Sequence, residues 1–244
     1  MNRIMFAGPS GVGKTTLSKA LITSARPFIS ASVSDLLPQT RDMQHKDMLA
    51  RDSEELYKED FQILNLRNKR FKDKSEFVTD RSYLDSAAYF LYKQADKIPQ
   101  CEIENFLDLS RMLLSQQCDA LIFVPFTKSM MDGWVTEDNG KRISSKYFQR
   151  EISSIMEMIL DIWDIQWNEP ITRLDRFGGF LGMENTEGIV PGTIESHYGK
   201  IKVFKLLETN LEKRIKLLNL VIKTNEKSKE EKPSRNLFQR LTFK

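Results

Sequence analysis

Cysteine is almost absent from this chain, with Cys101 and Cys118 the only two among 244 residues. They form no C-x-x-C pair and show no metal-ligand spacing, which excludes a disulfide framework and a zinc site. Two buried thiols in a reducing compartment are expected instead. Histidine is equally scarce: His45 and His197 lie far apart in sequence and read as surface residues, not as a metal pair. No apolar run is long enough to span a bilayer, so no membrane partner is expected. An excess of one charge is missing too. Thirty-seven basic residues face 34 acidic ones, a net charge of +3. That excludes a global basic field for nucleic acid and leaves only local patches to serve such a purpose. There is no internal repeat.

What the chain does contain begins at residue 8. Gly8-Pro9-Ser10-Gly11-Val12-Gly13-Lys14-Thr15 is a complete G-x-x-x-x-G-K-[ST] loop. Ile4–Ala7 before it reads as a short buried strand, and Thr16–Ile22 after it as a helix with Leu17 and Leu21 one turn apart. Glycines at these places let backbone N–H groups turn inward around phosphate oxygens, and the helix N-terminus adds partial positive charge. Gly8, Ser10, Gly11, Val12, Gly13, Lys14, Thr15 and Thr16 are therefore the expected triphosphate-binding residues. Lys14 is placed on the β/γ-phosphates and the Thr15 hydroxyl on Mg²⁺, with ATP the expected nucleotide. A loop starting so early leaves no room for a signal peptide, so a cytoplasmic location is expected.

Further along, apolar strands alternate with helical patterns. Strands are expected at Pro27–Ser34, Phe77–Thr79, Ala120–Val124 and Ile201–Leu206. Helices are expected over Glu54–Lys69, Tyr83–Tyr92, Glu102–Gln117, Ser144–Trp163 and Asn210–Lys223. This alternation indicates an α/β fold of the P-loop NTPase class, with a parallel sheet and helices on both faces. Residues 166–200, punctuated by Gly178-Gly179, Gly182, Gly188, Pro191-Gly192 and Gly199, read as an inserted loop or hairpin. The expected domain is 1–223, followed by a charged linker and C-terminal tail at 224–244.

A second constellation narrows the chemistry. Asp80-Arg81-Ser82 follows the Phe77–Thr79 strand, putting a carboxylate and a guanidinium where open α/β sheets bind ligands. Phosphoryl transfer uses such a carboxylate to orient an acceptor hydroxyl or Mg²⁺, and an arginine to hold phosphate charge. The competing structural reading is that Asp80 merely caps the next helix and Arg81 pairs on the surface.

On these residues the chain resembles the P-loop nucleoside and nucleotide kinases. Phe77 to Ser86 looks like the D-R-[YSF] segment of the thymidylate-kinase group and the E-R-S segment of deoxynucleoside kinases. Asp138-Asn139-Gly140-Lys141-Arg142 and Arg150 look like the family's lid, and Val203–Leu206 with Asn210–Arg214 like its last strand and adenine-side helix. The resemblance implies a helical lid and ATP-dependent transfer to a nucleoside or nucleotide, with a deoxypyrimidine expected. It assigns catalysis to Lys14, Asp80, Arg81 and Arg142, and the metal to Thr15 and Asp80. Two departures stand out: Pro125-Phe126 replace a carboxylate after the Ala120–Val124 strand, and the 166–200 insertion has no counterpart.

The rival within this class is a phage kinase that phosphorylates 5-hydroxymethyluracil already in DNA, which would place the chain in the host cytoplasm. For it, Arg173, Arg176, Lys200 and Lys202, interleaved with Phe177, Phe180 and Tyr198, would grip the polynucleotide. The alternative from another class is a nucleotide-dependent binding module without an acceptor. The Asp-Arg-Ser motif and the lack of an Asn-Lys-x-Asp guanine signature argue against it. A homodimer stays open. Weaker candidates are Ser32, Ser34 and Arg41 as acceptor ligands and Gln62 as a reader of a pyrimidine edge. Trp134, Trp163 and Trp167 read as packing residues before base stackers.

Overall fold

The computed structural model describes residues 1–40, 51–127, 130, 145–168, 173–174, 180–181 and 188–230, of which 173–174, 180–181 and 224–230 as backbone only. In chain order the elements are β1 (Arg3–Ala7), α1 (Lys14–Ala20), α2 (Val33–Leu36), α3 (Ser53–Phe71), β2 (Phe77–Thr79), α4 (Tyr83–Gln94), α5 (Gln100–Gln117) and β3 (Ala120–Phe123). Then come α6 (Lys146–Ile162), β4 (Ile165–Trp167), β5 (Arg173–Leu174), β6 (Phe180–Leu181), β7 (Ile189–Ser196), β8 (Gly199–Leu206) and α7 (Leu211–Glu230).

Six strands form one sheet in the order β2-β1-β3-β8-β7-β4, while β5 and β6 pair separately. The four strands from β2 to β8 are parallel; β7 and β4 are antiparallel. Strand alternation divides the core in two. Met5, Ala7, Leu121, Phe123 and Val203 point to one face and pack with α3 through α6. Ile4, Phe6, Ala120, Ile122, Phe204 and Leu206 point to the other, against Leu17 of α1 and Leu218, Val221 and Ile222 of α7. The central strands are thus apolar on both sides, as a sheet covered on two faces requires.

Local chemistry sets the helix starts. Asp52 caps α3 by accepting from Glu54 N and Glu55 N, at 2.8 and 3.3 Å. Acidic Glu54 and Glu55 fill the first turn of α3 and basic Lys69 and Arg70 its last, matching the helix dipole. In α4, Ser82 and Asp85 form a reciprocal capping box.

Three expectations are corrected. The Pro27–Ser34 strand shrinks to one parallel bridge, Phe28 to Val78. Pro27 has no N–H to give, and Ser30 and Ser32 hydrogen-bond to Asp35, offering the backbone a turn in place of a ladder. The sheet is mixed, because the described segments at both ends of the 166–200 stretch join it. Ile189 to Ser196 pairs along its whole length with β8, and Ile165 to Trp167 pairs with β7 at the edge. Gly192 reads as a loop marker in sequence but is a packing requirement here, since a Cβ on it would lie 2.7 Å from Trp167 Cε3. Residues 224–230, at the start of the expected linker and tail, are helical as part of α7. Finally, only Cys118 is a buried thiol, its pKa pushed up to about 12 by burial; Cys101 is exposed.

Candidate active site

The register brings three strand ends together. Ala7 lies beside Phe123 and Met5 beside Thr79, so Gly8, Val124 and Asp80 leave the sheet side by side at its C-terminal edge. Strand β1 sits between β2 and β3, which follow it in sequence on opposite sides. This is the switch point at which open α/β sheets bind ligands.

Gly8 is fixed by its surroundings. Its φ is +147°, and a Cβ there would fall 2.3 Å from the Val124 carbonyl oxygen. Behind it the loop turns through Gly11 and Gly13, both at positive φ, and α1 starts on Lys14 itself. Lys14 is buried, not an exposed loop lysine: its Nζ donates to the carbonyls of Gly8 and Pro9 at 2.5 and 2.7 Å. It also stands 3.9 Å from Asp85 Oδ1. Val12 packs into the core, Ser10 is half-buried, and Thr15 and Thr16 are exposed.

The Asp-Arg-Ser segment faces this loop. Thr15 Oγ1 donates to Asp80 Oδ2 at 2.5 Å, while Asp80 Oδ1 is buried with no hydrogen-bond partner. The helix-cap reading of Asp80 therefore fails; Ser82 does the capping. A hydroxyl and a carboxylate with an oxygen to spare fit Mg²⁺, which binds through one or two protein oxygens and completes its shell with phosphate and water. Among the described residues no cluster of three His, Cys, Asp or Glu side chains could hold a metal alone.

Arg81 lies behind Asp80, its Nη1 3.6 Å from Asp85 Oδ1. Burial opposes its charge, but Asp85, Tyr89 and Asp80 outweigh this and raise its pKa above the usual arginine value. Tyr89 lies beside Arg81, and burial raises its pKa. Arg67 of α3 is fully enclosed and donates to Ser82 O at 2.8 Å, to Ala31 O at 3.0 Å and to Ser86 Oγ. Burial lowers its pKa to about 10, with Asp85 opposing, so it stays cationic at neutral pH. From α7, buried Arg214 donates to Val12 O at 3.0 Å and to Glu208 O, tying the last helix to the loop. Burial lowers its pKa to about 10 as well.

The structure thus gathers Gly8 to Thr16, Asp80 and Arg81 at one place. Arg142 lies outside the described residues, as do Arg41, His45, Trp134, Arg176 and Phe177. Arg150 is exposed on α6. Ser32 bonds to Ser34 and Asp35 at 3.0 and 2.6 Å. Gln62 is exposed and shares a cleft of about 490 Å³ with Gln39, Thr40, Arg51 and Glu59. Trp163 is core; Trp167 packs over Gly192 with Lys205 Nζ 5.9 Å from its ring. Lys200 pairs with Glu195 at 2.5 Å beside His197 and Tyr198, whose rings lie 3.7 Å apart. Because β8 runs parallel to β3 and sets Lys205 beside Phe123, that hairpin tip is at the far end of the sheet from the phosphate loop. Five residues of strand separate Lys200 from that end, on the order of 17 Å.

Missed by the sequence reading were Asp85, Tyr89 and Arg67; Arg214 was noted only as part of a helix. The Ser-x-x-Asp spacing of Ser82 and Asp85 was a capping-box signal that could have flagged one of them.

Among solved structures, deoxyadenosine kinase from M. mycoides, with the products dCMP and a flexible dCDP bound, shares 13% identity with the chain at a TM-score of 0.55. The match covers 91% of this chain and 98% of that one. The same enzyme with bound dATP shares 14% identity at a TM-score of 0.53, with the same coverage. At this identity the likeness establishes a shared P-loop kinase-like fold. No curated protein sequence matches. One family model does match, over residues 3–172, more than half of the chain, and by it this protein belongs to the AAA domain family.

Proposed function

We propose that this protein is a kinase that moves the γ-phosphoryl group of ATP to a deoxynucleoside or deoxynucleotide, with a deoxypyrimidine favoured. The observation that carries the reading is the Thr15–Asp80 contact, with Lys14 beside it at the mouth of the glycine loop. A phosphate loop alone would serve a switch or a motor equally well. Switches and motors also pair a strand-borne carboxylate with the loop hydroxyl to hold Mg²⁺; the same segment as Asp80 brings Arg81 beside the loop, which adds a group to hold the charge of an acceptor.

In this reading Lys14 exchanges the Gly8 and Pro9 carbonyls for the β/γ-phosphates, a point charge replacing two dipole contacts. Asp80 orients the acceptor hydroxyl or a water of the metal shell, and Arg81 holds acceptor phosphate charge. Thr15 and Asp80 would hold Mg²⁺, which supplies charge neutralisation across the phosphates when bound. The deoxypyrimidine preference rests on the likeness of Phe77 to Ser86 to the thymidylate-kinase segment; the M. mycoides enzyme, with dCMP in one structure and dATP in the other, offers no choice between pyrimidine and purine.

The acceptor is tested by offering labelled ATP with deoxynucleosides, deoxynucleoside monophosphates and hydroxymethyluracil-containing DNA. Label on a free deoxypyrimidine is expected. Label on DNA alone would replace this reading with the DNA-kinase one, for which the far placement of Lys200 and Tyr198 offers no support.

A further inference from the structure

Asp85 carries two jobs on one carboxylate. Its Oδ2 accepts from Ser82 N and Ser82 Oγ at 2.9 and 2.7 Å, closing the capping box of α4. Its Oδ1 is buried, has no hydrogen-bond partner, and sits between two cations: Lys14 Nζ at 3.9 Å and Arg81 Nη1 at 3.6 Å. The first cation belongs to the phosphate loop and the second to the acceptor-side motif. At the third position of the box an amide oxygen would accept the Ser82 N–H as well, so the box accounts for Oδ2, while the charge on Oδ1 bears on the helix N-terminus and on the two cations beside it. That side chain is only 3% exposed, so its charge is weakly screened and acts on both cations.

We infer that Asp85 is a positioning residue for phosphate: the buried counter-ion that keeps Lys14 and Arg81 converged on one point and that the incoming triphosphate must displace from Lys14. The inference rests on the kinase reading and goes beyond it. With no negative charge at 85, two cations held on either side of one oxygen would repel and spread. In the resting site the single charge of Asp85 draws both toward Oδ1; with phosphate bound it opposes the phosphate charge while still holding Arg81. The site therefore gives up some nucleotide affinity in return for geometry, and removing the charge should tighten ATP binding while slowing turnover. A residue that served the fold alone would do neither.

The test is ATP affinity by calorimetry, with turnover and melting temperature, in the wild type, Asp85→Asn, Ser82→Ala and Arg81→Gln. A unit charge acting over several ångströms in a partly buried site predicts Asp85→Asn to bind ATP on the order of tenfold tighter, with lower kcat. Ser82→Ala loses the cap but keeps the charge, so its melting temperature should fall with ATP affinity unchanged. Arg81→Gln leaves Asp85 to bear on Lys14 alone, so it should bind ATP more weakly. Unchanged or weaker ATP binding by a folded Asp85→Asn overturns the inference, as does Ser82→Ala shifting affinity as Asp85→Asn does. Should Asp85→Asn not fold, Arg81→Gln decides: weaker binding supports the inference, unchanged or tighter binding overturns it. A wild-type protein that binds no ATP would instead refute the kinase reading itself, a separate outcome.

Discussion

Gly8→Ala is the smallest change that should dismantle the site. The added Cβ would sit 2.3 Å from the Val124 carbonyl oxygen, on a residue whose φ is +147°. The obstacle is backbone of the neighbouring strand end, held by the 2.8 Å bond from Val124 N to Ala7 O, so no side-chain rotation relieves it. Holding a non-glycine residue in that conformation costs about 1–3 kcal/mol. Yielding to the clash weakens the Val124–Ala7 bond, for about 1 kcal/mol more. The sum is about 2–4 kcal/mol, and a chain of this size should lose about 2–4 °C of melting temperature per kcal/mol. Thermal unfolding followed by circular dichroism should therefore show a drop of about 4–16 °C, and calorimetry should show ATP binding weakened well below saturation of the folded fraction. A variant melting within about 2 °C of the wild type with unchanged ATP affinity would refute the argument, because Gly8 would then not be wedged against β3.

Lys14→Met should abolish transfer; because Lys14 is buried against two carbonyls, a modest fall in melting temperature should accompany the loss, read by scanning calorimetry. Asp80→Asn should lower kcat by a factor on the order of 10² or more, as for a lost acid/base or metal-orienting group, with ATP binding retained in a titration. Asp119 gives a pH dependence: burial disfavours its charge, but bonds from the Arg3 side chain and from Asn2 N and Arg3 N prevail and lower its pKa. A depressed carboxylate stabilises the fold above its unfolded pKa, near 4, and loses that contribution as pH falls further. Asp119→Asn should therefore flatten the acid limb of a urea-midpoint profile below about pH 4 and, at pH 7, lower the midpoint.

The phosphate loop and the Asp-Arg-Ser motif were legible because each is a contiguous string whose function follows from local backbone. Phe77–Thr79 was read to the residue, since a short apolar run bounded by charge has few alternatives. What escaped was built through space. Arg214 reaches Val12 across 202 positions and Thr15 reaches Asp80 across 65, and neither distance leaves a periodic trace. The antiparallel edge was read only as an inserted loop or hairpin, with no strands assigned to it, for a different reason. Pro191 and Gly192 argue against a strand when counted as residue types, but Pro191 tolerates the ladder and Gly192 makes room for Trp167. The burial of Lys14 left no trace in sequence either, since the carbonyls of Gly8 and Pro9 that enclose it are set by the fold of the loop.

The most direct test of the central claim is transfer of labelled γ-phosphate from ATP to a free deoxynucleoside or deoxynucleotide by the wild-type protein, run beside Lys14→Met and Asp80→Asn from the same preparation. The account predicts labelled product from the wild type, none from Lys14→Met and a rate about 10² lower from Asp80→Asn. No product from a wild-type protein that binds ATP, or equal product from all three proteins, would contradict it.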